Sequence, residues 1–402
     1  MDFFNKYENV TEDDYIAIAD PSWPTYQEFI THYDIPVRVY NDIDAMLDLV
    51  PFEHPSFCVL PFIGYEYPRI NFCCLTPNGG ADREQVKQDM LQGIRPHSCS
   101  KCWNLEDAGI KSDRLIKNGS YDYYHGNLKD FYNQVVVNSD VPFAYYKIDS
   151  TNTCNAQCAT CTPEDSSSWI SLYKQHGVRY EHKRIDINNL QVNYAEAKSI
   201  LFRGGEPFLA AKNFEILSKL IEHDNTDCFI SFITNGSIWP SDEQLEILQQ
   251  FPNLVISLSI DGVGPVFEYL RYPLKWDTIL ENFARWKTFP NIKFGVNYTL
   301  SNMNILYHND TVNWFRENNL PFLINPVYGP THFNINSLPN NIKKKLIEDI
   351  RNIDLDLFKA HSNSDDENFE KFLQEIKKQD EWKGISIKDY LPEFVNLLGN
   401  PF

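Results

Sequence analysis

The chain has 402 residues, 55 of them acidic and 36 basic, for a formal net charge of −19. Its 43% apolar and 14% aromatic content can fill a substantial core, which excludes an intrinsically disordered chain, and the length suits two or three domains. The acidic balance argues against a nucleic-acid partner, because phosphate recognition needs a basic surface, and no apolar run approaches the roughly 20 residues that span a bilayer.

The opening Met1-Asp2-Phe3-Phe4-Asn5-Lys6 carries no charged-then-apolar leader pattern, so a cytoplasmic protein with no membrane partner is expected. Residues 1–140 are rich in proline and aromatics, including Pro51, Pro55, Pro61, Pro68, Pro77 and Pro96, and long periodic helices are scarce. That suits a small domain held by something other than a large core. Five cysteines fall there: Cys58, Cys73, Cys74, and the C-x2-C pair Cys99 and Cys102. In a reducing compartment clustered cysteines indicate metal or redox chemistry more often than disulfides. Four thiolates can be chosen from the five, and they suit a structural zinc as well as a [4Fe–4S] cluster.

From about residue 144 the pattern changes. Apolar strand-like runs appear at 144–148, 199–202, 228–233, 254–260, 292–300 and 322–327. Between them lie helix-compatible stretches, such as 213–221, which Asn213 could cap, and 241–248, which opens on Ser241-Asp242-Glu243. Strands alternating with helices imply βαβ units and a parallel sheet. About six units predict an α/β fold, a partial (β/α)6 TIM-like barrel, rather than the closed barrel of eight. Cys228, inside one of these runs, reads as an inert core thiol. After Leu338-Pro339 the chain turns helical and charged at 342–350 and 369–378, with an acidic linker at 362–366. The expected division is 1–140, 141–335 and 336–402.

The chemistry-bearing motifs sit where strands of a parallel sheet end, which is where such folds place their active sites. Cys154, Cys158 and Cys161 follow the first run with the spacing C-x3-C-x2-C. Three thiolates from one loop suit an iron–sulfur cube that normally takes four, and the missing ligand leaves an open metal position. A zinc knuckle or buried free thiols would fit the spacing alone. Arg203-Gly204-Gly205-Glu206-Pro207 follows the second run, Thr234-Asn235-Gly236-Ser237 the third, and Ser257-Leu258-Ser259-Ile260-Asp261-Gly262 closes the fourth.

The combination resembles the radical S-adenosylmethionine (SAM) superfamily over roughly 144–330. The cysteine loop is similar to its cluster-binding motif, and Gly204-Gly205-Glu206-Pro207 to the motif that holds the methionine amino group of SAM. Two glycines allow close backbone approach to a ligand, and Glu206 could accept from an ammonium. The resemblance also implies that Asp261 touches the ribose hydroxyls and Ser259 the SAM carboxylate, with Asn235 and Arg271 as weaker candidates. An ordinary turn explains Ser259 and Asp261 nearly as well. One departure is Thr160, where the family often has a bulky residue before the third cysteine. Tyr298, Asn297, Asn325 and His332 lie near the ends of late strands, with core or surface roles expected.

The N-terminal cysteines look like the twitch or SPASM type of auxiliary-cluster domain, here preceding the core. The implied ligand set is Cys58, Cys74, Cys99 and Cys102, with Cys73 beside it, although Cys73 could take the place of Cys74. By the same resemblance the cofactors are a SAM-binding [4Fe–4S] cluster, S-adenosylmethionine and a second, auxiliary [4Fe–4S] cluster or zinc. A flavodoxin or ferredoxin would supply electrons, and the substrate would be a peptide or protein. A sugar, nucleotide or lipid headgroup is the alternative substrate, and a non-catalytic zinc-stabilised binding protein the alternative class.

Overall fold

Among the described residues, seven parallel strands in the order β1 to β7 make one open sheet, the half-barrel that the run spacing predicts, with one strand more than expected. The computed structural model describes residues 55–402 apart from 74, 77–80, 108–111, 182–184, 186, 328 and 350–365. Most of the acidic linker at 362–366 therefore lies outside the described residues.

The N-terminal part enters with the short helix α1 (Leu60–Ile63) and β1 (Gly64–Tyr67). Helices α2 (Arg83–Leu91), α3 (Ser100–Asp107), α4 (Asp113–Tyr124) and α5 (Leu128–Val137) follow. The starts of α2, α4 and α5 are capped by side chains: Asp82 accepts from the amides of Glu84 and Gln85, Ser112 from Leu115, and Asn127 from Lys129 and Asp130. This region is more helical than its proline content suggests, because the prolines concentrate before residue 97. It also has an apolar core of its own, with Phe57, Phe62, Met90, Leu115, Phe131 and Val135.

The six expected strands appear within one residue of the predicted ends. They are β2 (Tyr145–Asp149), β3 (Ser199–Arg203), β4 (Phe229–Thr234), β5 (Leu254–Ser259), β6 (Ile292–Leu300) and β7 (Phe322–Pro326). The intervening helices are α6 (Ser167–Gln175), α7 (Ala211–Glu222), α8 (Asp242–Leu248), α9 (Pro265–Leu270), α10 (Trp276–Trp286) and α11 (His308–Glu317). Ser241 and Gln244 form the capping box that starts α8. Asn213 does not cap α7. It lies inside the helix, buried, and its amide donates to Pro207 O at 2.9 Å.

The two faces of the sheet differ. Ile148, Phe202, Phe232, Ile256 and Phe294 point to the helices and form the main core, in register along the sheet. The rings of Phe202, Phe208 and Phe232 stack at 4.9 Å, with Trp286 beside Phe208. Many of the alternate residues are polar. Lys147, Asp149, Arg203, Asn297 and Thr299 are half-buried on the opposite face, where Lys147 pairs with Glu66 (2.8 Å) and Arg203 with Asp149 (2.6 Å). β1 is thus joined to β2 by the ladder and by a side-chain ion pair.

His125 follows α4 against the sheet, its ring 5.2 Å from that of Tyr145, while Lys198 donates to its carbonyl at 3.1 Å. Burial, aided by the Lys198 charge, lowers its pKa to about 4. The unfolded chain takes up this proton near pH 6.5, whereas the folded one refuses it until about pH 4. Stability is therefore lost as pH falls through that window, on the order of 3 kcal/mol if the site titrates alone. Urea unfolding of the metal-free chain at pH 7 and pH 5 should show a smaller acid loss for His125→Phe than for wild type.

After β7 come α12 (Asn340–Asp349), α13 (Asp366–Lys383), α14 (Ile387–Tyr390) and α15 (Pro392–Leu397). Phe372, Ile376, Ile387, Leu391 and Phe394 join these helices to the main core. No helix among the described residues is long and apolar enough to cross a membrane.

Candidate functional site

The cysteine loop runs irregularly from β2 to α6, and its backbone is held from several sides. Thr151 O accepts from Gly205 N and Thr153 O from Glu206 N, both at 2.8 Å. Gln157 N donates to Tyr272 O (2.6 Å) and Ala159 N to Leu270 O (2.8 Å). Ser167 Oγ accepts from Cys154 N, Ser168 Oγ donates to Cys154 O, and the Trp169 indole donates to Cys158 O at 3.0 Å. A half-buried loop without regular structure needs such partners for its amides and carbonyls.

The two glycines serve this contact. A Cβ at Gly205 would lie 2.3 Å from Thr153 O, and one at Gly204 would lie 2.6 Å from Thr151 O. Gly204 also has φ +112°, a conformation that side chains rarely adopt. The close approach expected toward a ligand is thus an approach to the cysteine loop. Pro207 opens the short turn Pro207–Leu209.

Glu206 is completely buried. Its Oε1 accepts from Thr234 Oγ1 (2.7 Å) and Phe208 N (3.2 Å), and its Oε2 from Asn235 N (2.8 Å). Burial raises its pKa against the pull of these donors. Oε2, with its single bond, keeps a second lone pair for an ammonium. Asn235 Nδ2 reaches Asn155 Oδ1 (2.8 Å), and Asn155 Nδ2 donates to Ser237 Oγ (2.8 Å), tying the cysteine loop to the end of β4. Asn155 stands inside the triplet, so its position in the sequence could have singled it out.

Asp261 is buried, with Oδ2 paired to Arg271 Nη2 at 2.8 Å and Oδ1 accepting from Thr299 N at 2.8 Å. Arg271 Nη1 lies 3.9 Å from Cys158 Sγ, and its Nε has no partner among the described residues. Burial opposes the guanidinium charge, but Asp261 and Cys158 outweigh it and hold the group charged. Ser259 sits at the end of β5 across from Asn297. Asn325 Nδ2 donates to Asn297 Oδ1 at 3.2 Å, so these two share the polar face. Tyr298 and His332 are buried on the core side.

Burial pushes up the thiols of the triplet, Cys154 to about 11, with the neighbouring cysteines adding to the effect at Cys154 and Cys161 and Asp261 at Cys158. Arg271 and Lys383 oppose the shift at Cys158. Such thiols ionise when a cationic metal group is there to take them. The donor set, three thiols on one fixed loop, therefore fits an iron–sulfur cluster with one iron left open. Among the described residues no three His, Cys, Asp or Glu side chains are arranged to hold a single metal ion. A zinc at about 2.3 Å from each sulfur would draw them to within about 4 Å of one another.

Upstream, Cys58, Cys73, Cys99 and Cys102 line one cavity with Phe72 and Met90. It encloses about 360 Å³ not filled by atoms, part of it open to solvent. Arg114, at its wall, grips Glu106 (2.7 Å) and donates to Phe57 O (2.8 Å), joining the Cys58 segment to the helix of Cys102. Burial pushes Cys58 well up and Cys102 to about 11. Cys73 is on this cavity, while Cys74 lies outside the described residues. Cys228 is a buried core thiol.

The Radical SAM superfamily model matches residues 148–333. No curated protein matches the chain. Among solved structures, native anSMEcpe with bound AdoMet is 17% identical over 54% of this chain and 62% of its own, with a TM-score of 0.38. Streptococcus suis SuiB bound to S-adenosylmethionine is 16% identical over 65% of this chain and 60% of its own, with a TM-score of 0.35. The chain thus spans less than two thirds of either protein. Residues 148–333, from the end of β2 through the turn containing His332, are thus similar to the radical SAM superfamily domain.

Proposed function

We propose that the chain is a radical SAM enzyme in which Cys154, Cys158 and Cys161 hold a [4Fe–4S] cluster and leave one iron for S-adenosylmethionine. The observation that carries this reading is the interlock of two motif loops. The Gly205 and Glu206 amides bond to Thr151 and Thr153 across a contact that a Cβ would forbid. When bound, the cluster supplies one-electron cleavage of SAM and, through it, hydrogen-atom abstraction from the substrate.

The chain's own residues position and shield. The hydrogen bonds on the cysteine loop fix the thiols, and the free lone pair of Glu206 Oε2 suits the methionine ammonium. Asn235, Ser259, Asp261 and Arg271 border the same strand ends. The polar face of the half-barrel, with Lys147, Asp149, Arg203, Asn297 and Asn325, offers many donors and acceptors, which suits the amides of a peptide or protein substrate. The four thiols around the upstream cavity support a second [4Fe–4S] cluster there. A flavodoxin or ferredoxin would deliver the electron.

Anaerobic reconstitution with iron and sulfide tests the cofactor content. About eight irons per chain are expected from two four-iron sites. A chain that takes up zinc and no iron would end the enzyme reading.

A further inference from the structure

Helix α13 reaches the cysteine loop from the far end of the chain. Gln379 Nε2 donates to Ala159 O at 3.0 Å across 220 residues, between Cys158 and Cys161. Lys383 Nζ donates to Gln379 Oε1 at 2.9 Å and lies 4.6 Å from the ring centre of Trp169, whose indole holds Cys158 O. Tyr272 Oη donates to Lys383 O (3.2 Å), and Tyr272 O accepts from Gln157 N.

Lys383 is buried, and its hydrogen-bond acceptor is a neutral amide oxygen rather than a carboxylate. The nearby acids have other hydrogen-bond partners: Asp380 takes Tyr269 Oη and Ile387 N, and Glu375 takes Lys378 Nζ and, at 3.3 Å, Gln379 Nε2. An ammonium in such a place is costly unless negative charge lies close by. Negative charge acts on it from Cys158, Asp380, Glu375 and Cys161, yet burial still lowers its pKa to about 8. Arg271 faces the same loop, with Nη1 3.9 Å from Cys158 Sγ.

We propose that Lys383 and Arg271 are two cations placed at the cysteine loop, Arg271 beside Cys158 and Lys383 through Gln379 and the Ala159 carbonyl, to stabilise the reduced state of the cluster, and that α13 is therefore a working part of the site. The inference rests on the cluster reading given above. One-electron reduction adds one negative charge to the cluster, so a fixed cation beside its sulfurs favours the reduced form and raises the reduction potential. Lys383 is a positioning residue that acts through the cluster.

The test is an EPR-monitored dithionite titration of anaerobically reconstituted protein. It follows the signal absent from the Cys154→Ala, Cys158→Ala, Cys161→Ala chain. Lys383→Gln should be about tenfold harder to reduce, or 59 mV lower for a one-electron couple, while Lys383→Arg stays near wild type. Glu375→Gln, half-buried in the same network, should move the potential upward and serves where Lys383→Gln takes up no iron. A potential unchanged or higher in Lys383→Gln, or unchanged in Glu375→Gln, overturns the proposal. If no signal disappears in the triple cysteine variant, the cluster reading itself fails, and this inference falls with it.

Discussion

Replacing Cys154, Cys158 and Cys161 together by alanine should abolish SAM cleavage while leaving about four irons per chain. The two thiol sets are separate in the structure. The triplet follows β2, with Cys154 and Cys158 packed on the main core, whereas Cys58, Cys73, Cys99 and Cys102 surround a cavity beside a second apolar cluster. Removing the triplet therefore takes no ligand from the upstream site. The thiols are small and half-buried, and the loop is held through its backbone and through serine and tryptophan side chains. The fold should thus survive, and iron analysis with far-ultraviolet circular dichroism would check both statements. Loss of all iron would mean that the sets are not independent.

Gly205→Ala is expected to be nearly as severe through a different route. Its Cβ would meet Thr153 O at 2.3 Å and the carbonyl carbon of Asn152 at 2.6 Å, both backbone atoms that no rotamer change can move aside. Overpacking of this kind costs about 1–3 kcal/mol, which a chain of this size can absorb. The larger effect is on the site, since the strain pushes the cysteine loop off the Gly205 and Glu206 amides. A displacement of about 1 Å at reacting groups can cost about 100-fold in rate, so SAM cleavage should fall by that factor or more. Iron content near that of the triple variant would show that the loop no longer holds its cluster. Wild-type activity would mean that the interlock of the two loops has no functional weight.

Much of the half-barrel was legible because six strands are apolar on the face that meets the helices. Ile148, Phe202, Phe232, Ile256 and Val296 alternate with polar residues or stand in fully buried runs. β1 escaped because Gly64-Tyr65-Glu66-Tyr67 is short and lacks an apolar run, and Glu66 owes its burial to Lys147 on the next strand. The cysteine and glycine motifs were also legible, but the partner of the glycines was not. Only the fold brings Thr153 O to Gly205, and it leaves Glu206 bonded to Thr234 and Asn235.

The C-terminal contribution could not be read from the sequence. Phe372, Ile376, Gln379 and Lys383 share one buried helical face, yet the last two look like the polar end of a charged surface helix. Their burial follows from the carbonyl of Ala159 and the rings of Trp169 and Tyr272, far away in sequence.

The most direct test of the central claim is the formation of 5′-deoxyadenosine from SAM by the anaerobically reconstituted chain under dithionite. The account predicts its formation by wild type and none by the Cys154→Ala, Cys158→Ala, Cys161→Ala chain. Equal formation by both, or none by an iron-loaded wild type, would contradict it.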